Sequence, residues 1–204
     1  MVLAARRAER LATLADELPG SLAVPTDVTQ RAEASQLCDR SLQAFGSIDV
    51  LVNNAGQGLH VPLADVEADD FLAVWELNVM APLTLMQAVL PAMSRQGAGA
   101  IVNVSSMTSL MAIPGLGAYS ATKSALNMLS NVARAEFAPA GVVVSLVLPA
   151  IVQSEFHSAL RAGQISEWAG RRAALPAEAV AEAILEAVRT GEAEVRVTQV
   201  GHEP

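Results

Sequence analysis

The chain holds one cysteine, one tyrosine and one lysine in 204 residues. A single thiol, Cys38, excludes an internal disulfide framework and fits a reducing cytoplasmic setting, where it is expected to face the core from a helix. Acidic side chains outnumber basic ones 21 to 13, a net charge of −8, which argues against a nucleic-acid partner because none of the required basic excess is present. No apolar run is expected to approach the roughly 18 residues of a spanning helix. Arg6 and Arg7 soon follow Met1 without a cleavage pattern, so no signal peptide is expected. Repeats, low-complexity tracts and an interdomain linker are also missing, and the composition, 52% hydrophobic and 17% charged, suits one sizeable core in a single domain spanning 1–204.

What is present becomes pointed against that scarcity. Twelve of the thirteen basic residues are arginine, yet the one lysine, Lys123, follows the one phenol, Tyr119, by four positions in Gly117-Ala-Tyr-Ser-Ala-Thr-Lys123. On a helix, positions i and i+4 share a face. An ammonium there favours phenolate and would lower the tyrosine from its usual pKa of about 10 toward neutrality, the requirement for a general acid–base. Arginine is no equivalent, since its planar fork differs in shape and reach. Thirteen residues upstream, Ala100-Ile-Val-Asn-Val-Ser-Ser106 reads as a buried strand ending in hydroxyls. Asp49-Val-Leu-Val-Asn-Asn-Ala-Gly56 is a similar apolar run ending in a turn.

Strands and helices are expected to alternate: strands at 2–4, 21–24, 48–52, 101–104, 142–148 and 194–200, with helices near 8–18, 29–45, 68–93, 119–137 and 177–189. Continuous apolar strands alternating with helices imply an α/β fold, a parallel sheet covered on both faces.

Asn53-Asn-Ala-Gly56, Asn78, Ser106, Tyr119-x-x-x-Lys123 and Pro149, in this order and spacing, resemble the short-chain dehydrogenase/reductase family in its single-domain form. The resemblance implies a Rossmann-like doubly wound sheet and an oxidoreductase that interconverts a carbonyl and a secondary alcohol. By the same resemblance Tyr119 is the general acid–base, and Lys123 lowers its pKa and hydrogen-bonds the nicotinamide ribose. Ser106 holds the substrate oxygen and stabilises its charge. Asn78 holds a water in the proton relay. Ser105, one residue off, would point to the opposite face and bond backbone. Asp27 and Val28 match the adenine contact, with Asp27 also a candidate helix N-cap. Asn53, Ala55 and Gly56 would line the adenine–ribose side, and Asn54 would tie strands together. Pro149, Val152 and Ser154 match the nicotinamide side, with Ala150 where glycine is usual. A substrate lid is implied at about 153–175, and a homodimer or homotetramer through the Tyr119 helix and the long helix before it.

The chain departs from that pattern at its start. The family's Thr-Gly-x-x-x-Gly-x-Gly phosphate loop is not found. Gly56-Gln-Gly58, Gly97-Ala-Gly99 and Gly115-Leu-Gly117 read as ordinary turns. By resemblance a first strand, its loop and a helix are missing, and the missing strand would be central, leaving open edges between the strands that begin at Val2 and Ile48. Either the chain begins earlier, the favoured expectation, or it is a remnant. After the Val2 strand the acidic residue of NAD-preferring members is replaced by Ala5, followed by Arg6 and Arg7. Guanidinium suits a 2′-phosphate, so NADP(H) is expected over NAD(H), with Arg6 the stronger candidate.

His60, His157 and His202 lack ligand-like spacing, so no metal is expected. Trp75 reads as a packing residue. Phe156, Leu160, Ile165 and Trp168 suggest an apolar substrate or core packing, and Arg171 and Arg172 a solvated surface. Three activities stay open: an NADP(H)-dependent carbonyl reductase acting on a small molecule, a cofactor-free remnant or binding protein, and a 3-oxoacyl thioester reductase using Arg171 and Arg172.

Overall fold

The structure is a computed structural model that describes residues 1–164 and 173–198. Its elements run β1 (Val2–Ala5), α1 (Ala8–Glu17), β2 (Leu22–Pro25), α2 (Arg31–Phe45), β3 (Val50–Asn53), α3 (Ala68–Trp75), α4 (Ala81–Gln96), β4 (Gly99–Val104), α5 (Gly117–Phe137), β5 (Val142–Pro149), α6 (Ala177–Thr190) and β6 (Glu194–Val197). Every strand pair is parallel. A parallel pair needs a crossover connection, and these helices supply it. This is the α/β architecture expected from the alternating pattern.

The strands form two sheets, β1–β2 and β3–β4–β5–β6. The break falls where the sequence pattern leaves a strand out, between the strands that begin near Val2 and near Ile48. β4 and β5 are apolar on both faces and buried almost throughout. On one face Ile101 and Val144 pack with Leu85, Met86 and Val89 of α4 and Leu37 of α2. On the other, Val102 and Val147 pack with Val180 and Ala187 of α6. Register explains why β3 differs. Val52 pairs with Val102 and so faces the same side, but α6 does not reach it. Val50 and Val52 are consequently 42% and 41% exposed. Cys38 is buried in the α2–α4 core, as the helical pattern indicates, and burial pushes its thiol up to about 11.

Element boundaries shift for identifiable reasons. α2 begins at Arg31 with Gln30 at its N-cap, so Asp27 is not the cap. Asp27 instead accepts from the Thr29 N–H at 3.1 Å and the Thr29 hydroxyl at 2.7 Å, a side-chain turn that delays the helix. The long helix runs from Ala68 to Gln96, but residues Glu76–Met80 form a π turn within it. Its 29 residues are long and apolar enough, by length and composition, to cross a membrane, which corrects the expectation that no run is. Here the apolar residues serve the core. Val200 lies outside the described residues.

Candidate active site

The end of β4 meets α5 where Lys123 bonds the Val104 carbonyl, and the loop after β3 reaches the same helix at Gly56. β4 delivers Ser105 and Ser106 to opposite sides. The Ser105 hydroxyl turns toward α5 and donates to the Asn127 side chain and, at 3.4 Å, to the Lys123 carbonyl. Ser106 caps a short 3-10 turn, Met107–Leu110, accepting from the Thr108 N–H at 3.2 Å and the Thr108 hydroxyl at 3.0 Å. With its lone pairs engaged, its own proton is left to donate, and its nearness to Tyr119 acts to lower the phenol.

Tyr119 and Lys123 share the buried face of α5, 6% and 4% exposed. The ammonium donates to the Val104 carbonyl at 2.9 Å. The expected lowering of the phenol by lysine is not found. Burial pushes Tyr119 up to about 12, with the neighbouring Ser106 hydroxyl acting the other way, and pulls Lys123 down to about 8. Removal of both groups from water is the larger effect, because each ionised form loses its hydration. The cover comes from Phe156, 5.7 Å from the phenol between ring centroids, and His60, 6.2 Å away.

Asn78 is fully buried inside the π turn. A π turn rotates the helix face by one residue and recurs at functional positions. Here it aims the amide at the loop after β3. The amide oxygen accepts from the Gln57 N–H at 2.9 Å, and the amide nitrogen donates to the Gln57 carbonyl at 2.9 Å and to the Thr122 hydroxyl at 3.0 Å. That hydroxyl donates to the Tyr119 carbonyl at 2.7 Å, tying the loop to α5. Gly56 sits between the functional heads: a Cβ there would lie 3.3 Å from the Asn78 oxygen and 3.4 Å from the Lys123 nitrogen. Its bare backbone therefore lies directly against both heads.

The residues expected along a cofactor groove divide into two groups. Val28, Asn53 and Ala55 line one small cavity together with Leu77 and Leu85. Asn53, and not Asn54, ties the strands, donating to Asn103 at 2.7 Å while Asn54 is exposed. Asn103 in turn donates to the Ser130 hydroxyl at 2.8 Å. Alternation explains the difference: position 53 points inward along β3, so position 54 cannot. At the end of β1, Arg6 is exposed in the turn. Arg7 and Arg10 line the groove beside α1, and both grip Glu155, at 2.8 Å and 2.7 Å. Arg10 was not singled out from the sequence, although its i+3 spacing from Arg7 places it on the same helix face.

After β5, Ala150 takes no positive φ, so alanine fits where the family prefers glycine. Val152 bridges to Leu175, and Ser154 caps a second 3-10 turn, Glu155–Ser158, accepting from the Phe156 N–H at 3.3 Å. The following segment lies along the β3 loop: Arg161 N–H donates to the Gly58 carbonyl at 2.8 Å, and His60 N–H to the Ala162 carbonyl at 3.1 Å. Gly163, at φ +84°, is required there, since a Cβ would stand 1.8 Å from the His60 carbonyl oxygen. This seating brings His60 and His157 together, their rings 6.1 Å apart. Nothing in their sequence spacing signals that pairing. No group of three or more metal-ligating side chains gathers among the described residues. Trp75 packs on Phe71 at 6.0 Å. Ile165, Trp168, Arg171, Arg172 and His202 lie outside the described residues.

Known proteins carry this arrangement. The family profile described as short chain dehydrogenase matches residues 1–165. An uncharacterized oxidoreductase of Staphylococcus aureus (strain MW2) is 31% identical over 206 aligned residues, spanning 100% of this chain and 86% of the relative. A second, from Staphylococcus haemolyticus, is 32% identical with the same coverage. Among solved structures, an alcohol dehydrogenase from the archaeon Thermococcus sibiricus, complexed with 5-hydroxy-NADP, superposes with a TM-score of 0.86 at 25% identity, covering 100% of this chain and 87% of the other. A short chain dehydrogenase/reductase from Burkholderia phymatum in complex with NAD gives 0.86 at 30% identity, covering 96% and 78%. The chain belongs to the short-chain dehydrogenase/reductase family, and is an oxidoreductase acting on CH–OH groups with NAD(P).

Proposed function

We propose that the protein is an NADP(H)-dependent oxidoreductase that interconverts a small carbonyl compound and its secondary alcohol, with Tyr119 as general acid–base. The observation that carries this reading is the convergence of Ser106, Tyr119, Lys123 and Asn78 around the bare backbone of Gly56. Bound NADPH would supply the hydride. The residues present suit its nicotinamide end: Lys123 spends one donor on the Val104 carbonyl and keeps two, and Gly56 offers backbone where a side chain would block approach. Pro149, Val152 and Ser154 would border the same end. Val28, Asn53 and Ala55 would border the adenosine, with Asp27 beside them.

In reduction, Ser106 steadies the carbonyl oxygen and Tyr119 gives it a proton as negative charge builds there. Lys123 stabilises the phenolate so formed, and Asn78 holds the proton path behind Lys123. In oxidation the same groups run in reverse. The preference for NADP(H) is supported by the arginines at the end of β1: Arg7 and Arg10 already grip one carboxylate in common, and two guanidiniums that hold a carboxylate can hold a phosphate. Arg6 adds a third positive charge at that turn. The acidic composition and single buried thiol support a cytoplasmic enzyme, and Met128 and Val132, exposed on α5 by 64% and 44%, support a homodimer or homotetramer built on that helix.

Tyr119→Phe tests the mechanism. Turnover of a carbonyl substrate should fall by at least about a hundredfold, with NADPH affinity, followed by nucleotide fluorescence, unchanged. Surviving turnover overturns the assignment. Folded protein that binds neither NADPH nor NADH overturns the cofactor reading.

A further inference from the structure

Asn127 stands four positions beyond Lys123 on α5, as Lys123 stands four beyond Tyr119, so the three share one stripe of the helix. Both ends of its amide are engaged, and both with the segment that carries Ser106. The amide oxygen accepts from the Ser105 hydroxyl at 2.5 Å, and the amide nitrogen donates to the Ser109 hydroxyl at 2.8 Å. Ser105 comes just before Ser106, and Ser109 lies in the turn Met107–Leu110 just after it. The Ser105 proton goes to Asn127 in preference to the Lys123 carbonyl, which is 3.4 Å away.

The bonds continue to Ser106 itself. The Ser109 hydroxyl donates to the Ser106 carbonyl at 2.6 Å, and the Ser109 N–H donates to the same oxygen at 3.0 Å. With its proton committed there, the Ser109 hydroxyl can only accept from Asn127, which turns the amide nitrogen toward Ser109 and the oxygen toward Ser105. A side chain that holds both flanks of one residue needs a donor and an acceptor in fixed geometry, and asparagine has them. Aspartate lacks the donor, and leucine lacks both. The Ser124 hydroxyl makes a second tie from α5, to the Ser109 carbonyl at 2.8 Å, but Ser124 is exposed where Asn127 is half-buried. The Ser106 hydroxyl is itself set by this turn, through its bonds from Thr108. Tyr119 is carried by α5. How the turn is fastened to the helix therefore decides how the two hydroxyls face each other.

We infer that Asn127 is a positioning residue: by clamping Ser105 and Ser109 to α5 it sets where the Ser106 hydroxyl stands against that of Tyr119, and so how the pair holds the reacting oxygen. Its effect on turnover rests on the oxidoreductase reading above, whereas the clamp itself does not.

The test is a double-mutant cycle in the full chain, read first by reduction of cyclohexanone with NADPH. Asn127→Leu should lower kcat by about tenfold, since catalysis falls steeply when a reacting group is misplaced, and leave KM for NADPH unchanged. Ser106→Ala sets the ceiling, about a hundredfold for the loss of one such donor. In the Ser106→Ala background, Asn127→Leu should cost nothing more, because the hydroxyl it positions is gone. A merely structural role lowers both backgrounds alike, and that result, or an unchanged kcat, overturns the inference. Asn127→Asp, which keeps the acceptor for Ser105 and loses the donor to Ser109, should fall between Asn127 and Asn127→Leu, and it runs the same cycle should Asn127→Leu not fold. Tyr119 is the one tyrosine in the chain, so an isotope label on the phenol carbon gives a single NMR resonance and a readout that needs no turnover. Ser106→Ala should shift that resonance, Asn127→Leu should shift it less in the same direction, and the double variant should match Ser106→Ala. A resonance unmoved by Asn127→Leu overturns the inference. Where cyclohexanone is not turned over, the resonance decides alone. The expected shifts in a protein that binds neither NADPH nor NADH keep the clamp while the oxidoreductase reading fails. Turnover with equal losses in both backgrounds does the reverse.

Discussion

At the ends of β4 and α5, Ser106, Tyr119, Lys123 and Asn78 are all more than nine-tenths buried, whereas at the end of β1 the Arg7, Arg10 and Glu155 side chains are more than half exposed. Both regions bring distant parts of the chain together, but by different means. In the first, Asn78 and Ser106 are held by several hydrogen bonds, Lys123 by one, and all four groups by a packed surround, so their positions are fixed before any ligand arrives. In the second, charges meet on a two-stranded sheet with solvent beside them, and exposed ion pairs hold geometry weakly. The chemical end is therefore rigid and sensitive to single changes, while the anion-gripping end can exchange one partner for another.

The largest test of that contrast is Lys123→Met. It removes the one lysine and should reduce turnover by at least about a hundredfold, with nucleotide binding affected less than turnover. Loss of activity no greater than that of an arginine variant at the other end would break the comparison. Next in size is Asn78→Ala, which strips partners from the Gln57 N–H, the Gln57 carbonyl and the Thr122 hydroxyl. Unsatisfied buried groups of this kind cost about 1–3 kcal/mol, read as a lower denaturation midpoint. An unchanged midpoint would show that the loop after β3 is not anchored there.

The same contrast explains what the sequence pattern could and could not convey. Ser106, Tyr119, Lys123 and Asn78 were legible because their chemistry demands fixed residue types at fixed spacing on elements with clear periodicity. The break in the sheet was legible too, since a Rossmann-like order leaves an open place between the strands at Val2 and Ile48. Less was readable where chain-distant segments meet. His60 and His157 are 97 positions apart, and only the seating of the segment around Gly163 on the β3 loop unites them. Asn53 takes the strand-tying place expected of Asn54 because a one-residue offset along a strand reverses which side chain faces inward. The direction of the Tyr119 pKa was missed for another reason: helical spacing reveals the nearby cation but not the burial that outweighs it.

A smaller effect separates the regions by pH. Lys123 titrates at about 8 in the native state and near 10.5 when unfolded. Between these values the unfolded chain binds the proton that the native state has released, so stability rises with pH. Cys38 acts oppositely: its thiol is raised from 9.0 to about 11, so above pH 9 the unfolded chain loses a proton that the native state keeps. Denaturation midpoints should rise from pH 8 to 9 and flatten beyond. In Cys38→Ala the rise should continue toward pH 10, where Tyr119, raised from 10.0 to about 12, begins to oppose it. In Lys123→Met the rise should vanish, and its persistence would assign it to another group.

The smallest effects belong to the arginine end, and they are the most selective. If Arg7 and Arg10 exchange Glu155 for the 2′-phosphate, Arg7→Ala with Arg10→Ala should weaken NADPH by about tenfold and leave NADH unchanged, because only NADPH carries that group. Glu155→Gln should act in the opposite direction, tightening NADPH by about twofold by freeing both guanidiniums. Neither change should move the unfolding midpoint appreciably, since the pairs are exposed, and raising the salt concentration should shrink the difference between the two nucleotides. Equal weakening of NADH and NADPH would mean that the arginines contact something common to both. In that case the preference for the 2′-phosphate would fall to Arg6, whose single substitution separates the alternatives.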